Sequence, residues 1–147
     1  MAHRIRPVHY YEATVRDTPG EAYQILQVLS LSKVSLIAFS AVPSGPGHAL
    51  LTLFPVEPKK LLAVARESGL ELAGPRHGFL IQGDDQLGAL VDIHRRLYEA
   101  SINIGSATGV SDGRGGFGYI VLVPEADYER AAQILEQALR AAFRAED

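Results

Sequence analysis

The stretch VRDTPGEAYQIL, residues 15–26, decides how this chain folds. It closes a run, VHYYEATV (8–15), whose aromatic and β-branched side chains predict a strand. Thr18, Pro19 and Glu21 then supply an N-cap, a proline at the first helical position and a capping-box acid. Beyond them Ala22, Ile25, Leu26 and Leu29 recur at helical spacing. A strand thus turns sharply, through Asp-x-Pro-Gly, into an amphipathic helix.

Two more strands follow, VSLIAFSAV (34–42) and HALLTLF (48–54), joined by a Gly/Ser-rich turn. A second helix begins at Pro58, and a weak strand near LELAG (70–74) closes the unit before a linker around Pro75. Sliding the chain along itself by 68 residues repeats the pattern: His9 falls on His77, Asp17 on Asp85, Gly20 on Gly88, Ile25 on Ile93 and Leu29 on Leu97. Gly45 and Gly47 fall on Gly113 and Gly115. In the second copy HGFLIQ (77–82) is the first strand, and Asp85 caps a helix marked by Leu90, Ile93 and Leu97. INIGSATGV (102–110) and FGYIVLV (117–123) follow as strands. After Pro124, Tyr128, Ala131, Ala132, Leu135 and Leu139 form the apolar face of a last helix.

The expected domains are residues 7–74 and 77–147. The first reads βαββαβ and the second βαββα, without a closing strand. Both describe an α+β, ferredoxin-like split-βαβ sandwich with helices on one sheet face. The missing strand would leave the first strand of the second domain as an open sheet edge, which proteins cover or pair. A homo-oligomer, or cover from elsewhere in the same chain, is the expected remedy.

Hydrophobic residues make up 47% of the 147 and charged ones 21%, as in an ordinary globular protein. There is no cysteine, which excludes disulfides and thiolate catalysis. MAHRIRPVHYYEA has no apolar run of a signal peptide, and no later stretch suits a membrane span, so the cytoplasm is expected. Net charge is −3, but residues 77–147 hold six Arg against eleven Asp and Glu.

That acidic half contains DGRGGFGYIVLV (112–123), close to the third-strand pattern of an RNA-binding sheet, with Phe117 and Tyr119 on one face. The acidity, an extra glycine and the lack of aromatics in the matching strand HALLTLF argue against RNA. GVSDG (109–113) matches a hydrolase elbow, but a turn and a strand, not a helix, follow Ser111. The loop also lacks the G-K-[ST] ending of a phosphate cradle. His9 and His77 have no second ligand at metal spacing, and His94, Arg95 and Arg96 read as a solvated helix face.

The strand, Asp-x-Pro-Gly turn and helix within βαββαβ resemble an ACT domain, the small regulatory module of amino-acid metabolism. GDDQLGALVDIHRRLYEASINI (83–104) resembles the same family, so the chain looks like a tandem pair. Leu87 stands where the family often has proline. The resemblance implies a non-catalytic, regulatory protein that binds a small molecule, an amino acid, and acts on a metabolic enzyme or regulator, with no cofactor and no metal. In the family a ligand is held by this turn on one unit and the second strand of another. Carried over, the turn positions are Asp17, Thr18, Pro19, Gly20 and Glu21, then Asp84, Asp85, Gln86 and Gly88. The second-strand positions are Ser35 and Ile37, then Asn103 and Gly105. An amide such as Asn103 can both accept from an ammonium and donate to a carboxylate. The rival expectation is a ligand-free module that only mediates assembly.

Overall fold

A computed structural model describes residues 4–84 and 89–145. In chain order the elements are β1 (Arg4–Arg16), α1 (Glu21–Leu31), β2 (Leu36–Pro43), β3 (His48–Pro55), α2 (Pro58–Ser68), β4 (Ala73–Asp84), α3 (Ala89–Glu99), β5 (Ser106–Ser111), β6 (Gly116–Leu122) and α4 (Tyr128–Ala145). A short 3-10 turn, Glu125–Asp127, leads into α4. Two compact units result: residues 9–76, and residues from 77 onward together with those up to Val8.

In the first unit the strands lie in the order β2-β3-β1-β4. Tyr11 on β1 and Phe39 on β2 both pair with Leu53 on β3. Paired residues share a face, and here that face meets Leu29 of α1 and Leu61 and Val64 of α2. Both helices therefore cover one side of the sheet, as expected for a ferredoxin-like unit. Pro58 opens α2, and Gly69, in the left-handed region at φ 73°, closes it by donating its N–H to the Ala65 carbonyl. The linker expected around Pro75 is instead part of β4, which runs on to Asp84. In this unit the start of β4 is an edge, the setting in which a strand tolerates proline.

In the second unit the order is β1-β4-β6-β5. Its register repeats the 68-residue offset: Phe79 on β4 and Ala107 on β5 both pair with Val121 on β6. Ile93 and Leu97 of α3 and Ala131 and Leu135 of α4 pack on Phe79, Ile81, Tyr119 and Val121. β4 is not an open edge. β6 flanks it on one side and β1 on the other, and residues 4–8 of β1 belong to this unit. Ile5 packs against its core and Val8 is buried. The cover expected from elsewhere in the chain is thus the start of β1, and the edge argument for an oligomer falls away. The sequence reading began β1 at Val8, and the structure extends it back to Arg4.

Among the described residues no helix is long and apolar enough to cross a membrane.

Candidate functional site

The Asp-x-Pro-Gly segment forms a β-turn: the Glu21 N–H donates to the Thr18 carbonyl at 3.4 Å, with Pro19 and Gly20 between them. Gly20 sits at φ 94°, ψ −14°, the third position of a type II turn, where a positive φ is required. It also occupies the N-cap position of α1, so Thr18 is not the cap. The capping pattern S/T-x-x-E is present, but the Pro-Gly turn preference overrides it. No side chain caps α1, and its N-terminus, positive end of the helix dipole, opens at the turn. A Cβ on Gly20 would meet nothing within 4 Å. The glycine is therefore there for its backbone angles, not for close packing within the chain.

The turn is braced by the β2–β3 hairpin, since the Asp17 N–H donates to the Gly47 carbonyl at 3.0 Å. Asp17, Thr18, Pro19 and Gly20 are exposed and Glu21 is half-buried. Glu21 also borders a groove of about 250 Å³ between α1 and the end of α2, lined by Val15, Gln24, Ile25 and Leu70 among others. The sequence reading missed this groove. Gly69, which ends α2 and opens it, was the available signal.

The second-strand positions lie elsewhere. Ser35 precedes β2, is exposed, and accepts the Val56 N–H through its carbonyl at 2.9 Å. Ile37 is half-buried at a register shift between Leu36 and Ala38, where a bulge re-aims side chains. β1 ends beside the start of β3, whereas Leu36 pairs with Pro55 at its finish. Eight strand residues separate those ends, roughly 25 Å. A single unit therefore does not bring its own turn and second strand together.

The second unit repeats the layout. Asp84, half-buried, ends β4 opposite Gly116. Asp85, Gln86 and Gly88 fall outside the described residues. Asn103 is exposed in the link between α3 and β5, and the Gly105 N–H donates to the Leu122 carbonyl at 2.8 Å, at the far end from Asp84. Beside Asp84 stands the β5–β6 hairpin. It is a built turn. The Asp112 carboxylate accepts the N–H groups of Arg114 at 2.6 Å and Gly116 at 3.0 Å. Those bonds hold its pKa below the usual carboxylate value, the Arg114 amide contributing most. Gly113 and Gly115 have positive φ, as do Gly45 and Gly47 in the matching hairpin. The repeated glycines thus mark one turn shape used twice.

The RNA-like aromatics face the helices. Tyr119 is 4% exposed within the core, and Phe117 packs against that core. Neither offers a ring to a base. Burial raises the Tyr119 pKa, and its hydroxyl hydrogen-bonds to Nε2 of His94, which is therefore an anchor of α3 and not merely part of a solvated face. Arg95 and Arg96 do lie at the surface, both engaged by Asp92, whose carboxyl they hold low. His77 is tied to the start of the last helix: its backbone N–H donates to Glu125 at 3.0 Å, and its ring lies against Tyr128. Among the described residues no group of three or more His, Cys, Asp or Glu side chains is placed to hold a metal.

No family model and no curated protein matches the chain. Solved structures do. A protein of Bacteroides thetaiotaomicron superposes with a TM-score of 0.78 at 12% identity, over 91% of this chain and 90% of that one. The ligand-free regulatory subunit of aspartate kinase from Thermus thermophilus gives 0.66 at 16% identity, over 94% and 97%. The fold is that of a tandem ACT-domain protein. Over 93% of its length the chain also matches 34% of the aspartate kinase of Clostridium acetobutylicum, described as an allosteric enzyme, with a TM-score of 0.52 at 17% identity. At such identities the likeness concerns the fold.

Proposed function

We propose that this protein is a regulatory module that binds a small amino acid or a similar metabolite and carries out no reaction itself. It acts in the cytoplasm, passing occupancy on to a metabolic enzyme or regulator. The carrying observation is the match over nearly the full length of both chains to a separate regulatory subunit of aspartate kinase. The exposed, uncapped N-terminus of α1 suits a ligand carboxylate, because a helix start offers N–H groups and partial positive charge. In the second unit the exposed Asn103 amide offers both an acceptor for an ammonium group and a donor for a carboxylate.

A thermal-shift series against the proteinogenic amino acids tests this. A ligand that binds only the folded state raises the melting temperature progressively with concentration. One amino acid should do so, and Asn103→Ala should weaken its affinity about tenfold, the worth of one hydrogen bond. If no amino acid shifts the transition, the ligand-binding reading fails and the assembly role stands in its place.

A further inference from the structure

The groove between α1 and the end of α2 shares only Glu21 with the turn and second-strand positions. Its walls are apolar: Val15 near the end of β1, and Ile25, Val28 and Leu29 on one face of α1. Glu21 and Gln24 bring a carboxylate and an amide to it from the start of α1, and among the described residues neither side chain has a hydrogen-bond or ion-pair partner. On the α2 side, the N–H groups of Gly69 and Leu70 both turn back to the Ala65 carbonyl. The carbonyls that follow Ala65 are left at the helix end without those donors, at the negative pole of its dipole. The positive pole of α1 lies at the turn, and its half charge is outweighed by the full charge of Glu21.

The second unit does not repeat this arrangement. α1 and α3 correspond at the offset of 68, which sets Ala89 in the place of Glu21, Asp92 in that of Gln24 and Arg96 in that of Val28. There the acid is already paired, Asp92 with Nε of Arg96 at 3.0 Å. α2 stops after 11 residues, whereas its counterpart α4 runs for 18, so no helix ends at the matching place. The early stop of α2 and an unpaired acid facing it thus occur together, in one unit only.

We infer that this groove is a second small-molecule site, complete within the first unit, and that it takes a small organic cation, a primary ammonium on an apolar body. Apolar walls with a few convergent polar groups are the usual makeup of such a site. A cavity of about 150 Å³ holds benzene, so about 250 Å³ accommodates about ten non-hydrogen atoms. The ammonium donates to the Glu21 carboxylate, with the Gln24 amide oxygen as a second acceptor. The body leaves water against Val15, Ile25, Val28 and Leu29. A carboxylate on the ligand would oppose Glu21, so the groove prefers an amine without one, and that separates it from the amino-acid site.

Titration of the full chain with phenethylamine and with isoamylamine, followed through backbone amide shifts in NMR, tests this. Shifts should concentrate at residues 21–29 and 68–70. 2-Phenylethanol, the same body without the charge, should bind about tenfold more weakly than phenethylamine, and 3-phenylpropanoate should not bind. Glu21→Gln should weaken phenethylamine about tenfold and leave 2-phenylethanol within about twofold, a split that general damage to the groove would not produce. Val28→Trp should fill the groove and abolish binding of both, with circular dichroism melts showing that each variant is folded. Absent or scattered shifts with both amines, equal affinity for amine and alcohol, or unchanged amine affinity in Glu21→Gln overturns the inference. Binding of an amino acid at the turn, or its failure, changes none of these readouts.

Discussion

At the scale of single residues, backbone angle decides what side chains only suggest. Gly20 holds φ 94° with open space around it, so alanine there would meet no clash and would suffer only the left-handed backbone. Gly20→Ala should cost about 1–2 kcal/mol in urea titration. Thr18→Ala should change stability by less than about 0.5 kcal/mol, whereas loss of a true N-cap costs about 1 kcal/mol. A large Thr18 effect with a negligible Gly20 effect would restore the capping box. Asp112 gives a pH-dependent counterpart. Its carboxylate is preferred in the folded state, so its pKa is depressed and its contribution is present above the ordinary carboxylate value of 3.8. That contribution is lost as pH falls through the lower folded value. The melting-temperature gap between wild type and Asp112→Ala should therefore be open at neutral pH and narrow below about pH 3.8. A gap that stays constant to lower pH would mean that the carboxylate charge is not what holds the hairpin.

At the scale of elements, the repeat is the strongest organiser. α1 and α3 begin and end 68 residues apart, and Leu29 and Leu97 occupy equivalent, buried places on them. Leu29→Ala and Leu97→Ala should each cost about 2–5 kcal/mol, the usual range for a buried leucine. Native-state hydrogen exchange should place the first loss in residues 9–76 and the second in residues 77–138. Uniform loss across both units in either variant would show that the units do not open separately. These helices, the strands between them and their inward residues were legible because burial imposes periods of 3.6 and 2 on the sequence. The turn was legible in its residue types but not in its capping, since two local motifs competed for the same four residues. Residues 4–7 were not legible as a strand, because pairing partners far away in sequence, not RIRP itself, make them one. The candidate site was half legible: Asp17 to Gly20 form the expected turn before α1, but Ser35, Asn103 and Gly105 precede the strands they were read into, and the groove beside Glu21 arises from where α2 stops.

At the scale of the whole chain, the two units are unequal in what their own stretch of sequence provides. Residues 9–76 contain every strand of the first unit, including the start of β4. Among the described residues from 77 onward there are three strands and two α-helices, and the fourth strand comes from residues 4–8. Without it β4 would lose a neighbour, its backbone N–H and C=O groups on that side would be unpaired, and Phe79 and Ile81 would sit nearer water. A fragment of residues 9–76 should therefore melt cooperatively on its own. A fragment of residues 77–147 should be much less stable, with a broad transition, and appending residues 1–8 after its last helix through a flexible linker should sharpen it again. Equal cooperativity of the two bare fragments, or no gain from the appended segment, would mean that residues 4–8 merely lie against the second unit and do not complete it.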